Sequence, residues 1–322
     1  MDNPNTQNQN FSIRRINLNI GAEVSGIDLS KPLSSTDFQM VHTAWIEHEV
    51  LVFRDQKITI DNQAEFAKRF GTLSVHPFSP NMDGRPEVII LDNHKENPPR
   101  YTDCWHSDET FRKSPPMGTM LRAEIVPEIG GDTLFSSMTA AYAGLSPRLQ
   151  HYLTGLEAIH DFGPFQKLFT ETSEDITRLR ELKDKYPHPI HPVIRKHPVN
   201  GKPIINVNPQ FTVAIKGMPR NESRHLLDFL FSLSSIPEYQ LRLKWAPNTI
   251  VLWENRSVQH YAVHDYYPQR RKMIRVTIEG DMPIAFDDKM SGISRIADLE
   301  SKRTGLTEDI GEVAQRQAFR NK

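Results

Sequence analysis

Apolar and polar positions alternate with two different periods along this chain, and the places where the period changes predict its elements. Phe11 to Asp28 alternates with a period near two and reads as strands broken at Gly21 and Gly26. From Ser35 to Val50 a Ser/Thr/Asp start is followed by Phe38, Val41 and Trp45 on one stripe, which predicts a helix. Leu51-Val52-Phe53 reads as a short buried strand. A second helix, capped by Asp61, is predicted to run through Phe66 to Phe70 and stop at Gly71.

Beyond this point the signals are mostly strands and turns. Strands are predicted at Glu87 to Leu91, Thr119 to Val126 and Thr133 to Ser136, with a polar loop from Asp92 to Tyr101 and a turn from Pro127 to Asp132. Met138 to Tyr142 and Pro147 to Leu156 read as helical inserts, the second capped by Ser146. Ser173 to Lys185 is charged and reads as a lid or crossover. Ile190 to Arg195 and Pro203 to Val207 read as a hairpin around Asn200-Gly201. After a helix at Ser223 to Leu233, strands at Tyr239 to Trp245, Thr249 to Trp253 and Arg271 to Glu279 close the chain, with Pro247-Asn248 turning between the first two. A mainly β centre with helical decoration and no internal repeat predicts a β-sandwich or jelly roll rather than a doubly wound sheet.

Composition narrows the function classes. The 322 residues carry 39 basic and 40 acidic side chains, a formal charge of −1, so no overall field draws the protein to nucleic acid or an anionic membrane. No apolar run approaches the roughly 20 residues of a membrane span, and the start lacks a secretory pattern. A single cysteine, Cys104, fits a reducing compartment and reads as a small buried filler. These features predict a cytoplasmic protein with one domain over residues 11–284. Residues 1–10 are too polar to pack and are expected to be disordered; 285–322 form a polar C-terminal extension with a helical candidate at Asp309 to Phe319.

The candidate chemistry centres on Trp105-His106-Ser107-Asp108. In an extended chain His106 and Asp108 project to one face and can share an ion. A second histidine, from Asn255-Arg256-Ser257-Val258-Gln259-His260, would complete two nitrogens and one oxygen on one face of an octahedron, which suits non-haem Fe(II) oxygen chemistry. Alone the pair is a weak signal. Among 13 histidines and 40 acids about one or two His-x-acid matches arise by chance, and His94-Lys95-Glu96 is another. Context separates them: Trp105 and Phe111 flank the first, whereas His94 lies in a Lys/Glu/Pro-rich loop. His264 competes with His260 as the distal ligand. Downstream, Arg271, Met273, Arg275 and Thr277 alternate with Lys272, Ile274, Val276 and Ile278, so two arginines face one side of an otherwise buried strand. Buried guanidinium groups need anions, which structural ion pairs or a bound carboxylate would supply.

Trp105-His106-Ser107-Asp108-Glu109-Thr110-Phe111, Gly130-Gly131-Asp132-Thr133, and the run from Trp253-Glu254-Asn255-Arg256 through Gln259-His260 to Arg271 and Arg275 together resemble the taurine dioxygenase (TauD/TfdA) family. The resemblance covers about Ile13 to Pro283. It implies a double-stranded β-helix (jelly roll, cupin-like) core and an enzyme dependent on Fe(II), 2-oxoglutarate and O2. It makes His106, Asp108 and His260 the iron ligands, and Arg271 with Thr133 the grip on the distal carboxylate of 2-oxoglutarate. It gives Arg275, helped by His76 and walled by Phe211, the anionic end of the prime substrate. A homodimer or homotetramer is also implied.

Ser79 and Thr102 stand where taurine-using members carry tyrosine and asparagine near the substrate amine, and Glu109 replaces a small apolar residue. The resemblance therefore implies a small organic anion, a sulfonate, sulfate ester, aryloxy or other carboxylate, with taurine itself disfavoured. Succinate and CO2 would be coproducts, with collapse to an aldehyde or ketone where a leaving group sits on the oxidised carbon. Two alternatives are a stable hydroxylation or desaturation in natural-product tailoring, and a non-catalytic metal-binding β-sandwich sensor in which Arg271 and Arg275 are ion-pair residues.

Overall fold

The computed structural model describes residues 11–287 except 80, 100–101, 167–168 and 170–171. The polar start, the end of the loop at Tyr101, and the extension beyond 287 with its helical candidate lie outside the described residues. The chain through Phe286 belongs to one compact unit: Ala285 bridges Arg195, and the Phe286 N–H donates to the Ile194 carbonyl at 3.0 Å.

Strands Val50–Phe53, Gly118–Ile125, Ile250–Glu254 and Arg271–Ile278 lie at the centre of a major sheet, each with antiparallel neighbours. Ser12–Arg15 and Ala22–Ser25 extend one side, Ala22–Ser25 pairing parallel with Val50–Phe53; Arg85–Asn93 and Asn81–Met82 extend the other. The period of two sorts its side chains cleanly. Leu51, Phe53, Met120, Ile250, Leu252, Ile274, Val276 and Ile278 face one core, covered by helices Ser35–His48 and Ile60–Lys68 through Trp45, Val41 and Phe66. Val50, Val52, Leu121, Ala123, Val251, Trp253 and Met273 face the other. There a second sheet, Gln240–Leu243, Thr133–Ser137 and Val258–Ala262, contributes Leu241, Leu243, Phe135 and Val258. The two sheets form the double-stranded β-helix core. A third core of Met138, Tyr142, Leu153, Ile204, Leu227 and Leu230 lies under the helical inserts.

Most elements match the sequence pattern, and the departures have physical causes. Thr59, not Asp61, caps the second helix: its hydroxyl accepts from the Asn62 N–H at 3.2 Å, and the Asn62 side chain reciprocates. Ser173–Lys185 is a helix with a Thr172/Asp175 capping box, and Leu182 anchors it in a cluster with Phe111, Phe162 and Phe211. The predicted strand from Ile190 to Arg195 divides at Val193. Ile190–Pro192 pairs with Glu157–His160, and only Ile194–Lys196 forms the hairpin with Pro203–Ile205. Strand Val258–Ala262 had no alternating apolar signal because its polar residues are buried. Among the described residues no helix is long and apolar enough to cross a membrane.

Trp45 is fully buried over Gly118, edge-on to Phe70 at 5.2 Å; a Cβ on Gly118 would lie 2.6 Å from the indole. Trp45→Ala leaves a cavity between helix and sheet and is expected to lower unfolding free energy by about 3–5 kcal/mol. Urea unfolding followed by fluorescence checks this; a loss below about 1 kcal/mol would mean the site collapses freely.

Candidate active site

His106 and His260 come together through backbone pairing. The His106 N–H donates to the His260 carbonyl at 3.0 Å and the His260 N–H to the His106 carbonyl at 2.8 Å, which brings their rings to 4.1 Å between centroids. His260 lies on strand Val258–Ala262 and His106 on an isolated bridge beside it. Asp108 does not continue an extended chain, as the two-residue spacing suggested; it sits in a turn that returns its carboxylate to the pair. Its Oδ1 lies 3.9 Å from His106 Nε2 and 3.8 Å from His260 Nε2. Among the described residues these three, all buried, form a cluster whose donor atoms lie within 4.8 Å of one another.

Protonation states suit a cation. Burial pushes both imidazoles toward the neutral form, His260 well below its usual range. Burial would also raise the Asp108 carboxyl, but the Arg275 guanidinium, with the Thr119 hydroxyl, outweighs it and holds the group ionised. His106 Nδ1 is 2.8 Å from the Cys104 carbonyl, which places the proton there and leaves the Nε2 lone pair free. Two neutral imidazole nitrogens and one carboxylate oxygen are a donor set for a divalent transition metal.

Arg275 projects from strand Arg271–Ile278 toward this cluster, with Nη2 2.9 Å from Asp108 Oδ1. That nitrogen makes no well-aligned hydrogen bond, so the contact is chiefly ionic. His76 is buried next to it. Its Nδ1 accepts the Phe78 and Ser79 backbone N–H groups at 3.1 and 2.9 Å, so Nε2 carries the proton and faces Glu109 at 3.9 Å. Ser79 thus reaches the site through its backbone. Glu109 is 2% exposed, adopts a positive φ of 51° and meets Arg112 at 2.5 Å, so the protein itself supplies its cation. Burial pushes its carboxyl up to about 7 against the pull of Arg112. Phe211 packs edge-on to His106 at 6.5 Å between centroids, within the aromatic cluster that includes Phe111 and Phe165.

A pocket is lined by Arg271, Arg275, Thr133, Thr102, His264, Tyr266 and Trp253, together with His106 and His260. The Arg271 guanidinium lies 5.8 Å from the rings of both Trp245 and Tyr266, and its Nε donates to the Gly131 carbonyl at 3.2 Å. Gly131, at φ 73°, permits this approach: a Cβ there would lie 3.2 Å from the Arg271 side chain. Trp245 Nε1 donates to Thr133 Oγ1 at 3.0 Å, which leaves the threonine proton for a ligand. Thr102, expected near the prime substrate, belongs to this pocket and bonds His264 Nε2 at 2.9 Å. His264 therefore faces Thr102 and stands outside the metal cluster. His94 bonds Glu96 in an exposed turn. Trp245, Tyr266 and Thr119 escaped sequence reasoning because long-range side-chain contacts leave no local period, and Arg112 because the turn that brings it to Glu109, three residues away, has none either.

Comparison with known proteins agrees with this arrangement. Residues 12–277 match the model of the Taurine catabolism dioxygenase TauD, TfdA family. An alkylsulfatase of Acinetobacter baylyi is 36% identical over 85% of this chain and 86% of its own length. An alpha-ketoglutarate-dependent sulfate ester dioxygenase of Pseudomonas putida is 31% identical over 86% of this chain and 92% of its own. A crystal structure described as a putative alpha-ketoglutarate-dependent taurine dioxygenase from Burkholderia xenovorans superimposes with a TM-score of 0.74 at 30% identity, covering 85% of this chain and 94% of that one. The fold and site define a 2-oxoglutarate-dependent dioxygenase. The chain belongs to the TauD/TfdA family.

The buried His76 leads to a pH prediction. Burial, reinforced by Arg275, lowers its pKa from 6.5 to about 3. The unfolded imidazole takes up a proton near 6.5 while the folded one stays neutral, so the stability it contributes is complete above 6.5 and is lost as pH falls toward 3. Metal-free His76→Asn keeps an oxygen for the two backbone donors. Its melting temperature is expected to fall less than that of the wild type between pH 6.5 and 4; parallel curves would contradict a neutral His76.

Proposed function

We propose that His106, Asp108 and His260 hold Fe(II), that Arg271 and Thr133 bind the distal carboxylate of 2-oxoglutarate, and that Arg275 and His76 bind the anionic group of a sulfate ester. The observation that carries this reading is the convergence of two inward arginines from one strand on the His-Asp-His cluster. With its Nε committed to Gly131, Arg271 keeps its terminal nitrogens for a planar carboxylate, and the Thr133 proton adds a third donor. Arg275 sets its positive charge against Asp108. A cation at Asp108 would take over that role and leave a buried guanidinium in need of an anion, which the substrate provides. Neutral His76 offers its Nε2–H to the same group without adding charge.

When bound, the iron, with 2-oxoglutarate and O2, supplies the oxidation that places one oxygen atom on a substrate carbon and the other in succinate, with release of CO2. The protein orients the carbon above the metal by holding the anion at Arg275, and Phe211 with its aromatic neighbours keeps water from that side. If the oxidised carbon bears the ester oxygen, its hydroxylated form collapses to an aldehyde or ketone and releases sulfate. The sulfate ester is favoured over other anions by the similarity to the alkylsulfatase and the sulfate ester dioxygenase. The same reading includes a cytoplasmic enzyme and a homodimer or homotetramer, which light scattering would size.

The test is succinate formation in air with Fe(II), 2-oxoglutarate and a panel of alkyl sulfates, alkyl sulfonates, taurine and aryloxyalkanoates. Alkyl sulfates are expected to give succinate and sulfate in equal amounts. Arg275→Ala should cut kcat/KM for the anion by at least about 30-fold, the equivalent of ~2 kcal/mol, while 2-oxoglutarate still binds; Arg271→Ala should abolish that binding, and His94→Ala should change neither. Turnover of aryloxyalkanoates alone would replace the substrate class. No 2-oxoglutarate binding by the iron-loaded protein would overturn the proposed function.

A further inference from the structure

We propose that Asn255 and Thr119 are positioning residues that fix the two ends of Asp108, its backbone and its outer carboxylate oxygen, so that only Oδ1 is presented to a metal. The proposal rests on the reading of His106, Asp108 and His260 as a metal site. Asp108 lies in a turn, and the next residue, Glu109, occupies the left-handed region at φ 51°, so no strand ladder holds this segment in place. The Asn255 side chain supplies the missing partners. Its Oδ1 accepts the Asp108 N–H at 2.7 Å, and its Nδ2 donates to the Asp108 carbonyl at 3.1 Å and to the Pro116 carbonyl at 2.9 Å. The Asn255 N–H in turn donates to the Met117 carbonyl at 2.9 Å. One buried carboxamide thereby ties the metal-site turn, the segment before strand Gly118–Ile125 and the segment leading to His260.

Thr119 acts on the carboxylate. It lies on the inward face of Gly118–Ile125, fully buried, and its hydroxyl donates to Asp108 Oδ2 at 2.7 Å. That bond turns Oδ1 toward the two imidazoles, and it also restrains Arg275. The guanidinium approaches Oδ1 at 2.9 Å, and a carboxylate released from Thr119 is free to offer both oxygens in a forked pair. Such a pair would compete with a cation for Asp108. Thr119 therefore decides between an aspartate that faces a metal and one closed on arginine. Loss of the hydroxyl should weaken metal binding even where the fold is intact.

The test uses the whole metal-free chain, with Mn(II) titrated under nitrogen and free Mn(II) measured by electron paramagnetic resonance, beside a thermal melt of each metal-free variant. Thr119→Val keeps the side-chain shape; it is expected to raise the Mn(II) Kd about 10–100-fold with little change in melting temperature. Thr119→Ser restores the donor and should return Kd to within about threefold of the wild type. The loss in Thr119→Val should shrink when combined with Arg275→Met, since the competing fork is then absent. Asn255→Ala should weaken Mn(II) binding in the same direction at temperatures well below its own melting transition. Wild-type affinity in Thr119→Val, or Thr119→Ser as weak as Thr119→Val, would overturn the role of Thr119. Wild-type affinity in folded Asn255→Ala would overturn that of Asn255. Failure of the wild type itself to take up Mn(II) would instead bring down the metal site, and this inference with it.

Discussion

An ionised carboxylate buried to 3% exposure is the constraint on which this site depends. Asp108 is kept charged against a desolvation penalty that would otherwise protonate it, and each neighbour is arranged to offset that penalty. Arg275 supplies the charge, Thr119 a hydroxyl and Asn255 a clamp on the backbone. The two imidazoles cannot share the task by protonation, because burial keeps them neutral. The Arg275 guanidinium answers the charge of Asp108 electrostatically.

The fold places both arginines on one inward row. Arg271, Met273, Arg275 and Thr277 face the second sheet, and Ile274, Val276 and Ile278 are sealed beneath helices Ser35–His48 and Ile60–Lys68. A one-residue slip of the strand would send both guanidinium groups into that apolar core. Pairing with Arg85–Asn93 on one side and Gly118–Ile125 on the other holds the register. The row begins in the pocket of Thr133 and His264, which Arg275 also lines, and continues toward His76.

Much of this was legible from the chain alone wherever a single period governs a segment. The helix at Ser35–His48, the buried strand Val50–Phe53 and the alternation of Arg271–Ile278 follow from their own side chains. His106 and Asp108 were legible as a pair, but the reason they converge was not: the spacing suggested an extended chain, and the fold uses a bridge and a turn. Strand Val258–Ala262 was missed because its burial is satisfied by hydrogen bonds rather than by apolar surface. Gln259 Nε2 donates to the Val207 carbonyl at 2.8 Å, a partner far away in the chain. Thr102, placed with the prime substrate on resemblance, bonds His264 in the pocket lined by both Arg271 and Arg275. Glu109 stands where the resemblance implies a small apolar residue, and Arg112, three residues on, answers it within the protein.

The proposal that one metal ion is shared by His106, Asp108 and His260 underlies the roles given to both arginines. Anomalous diffraction at the iron edge, from crystals grown and loaded with Fe(II) under nitrogen in the presence of 2-oxoglutarate, tests it most directly. One peak is expected between the two Nε2 atoms and Asp108 Oδ1, with the cosubstrate carboxylate against Arg271. A peak at His264 or His94, or none within reach of Asp108, would contradict it.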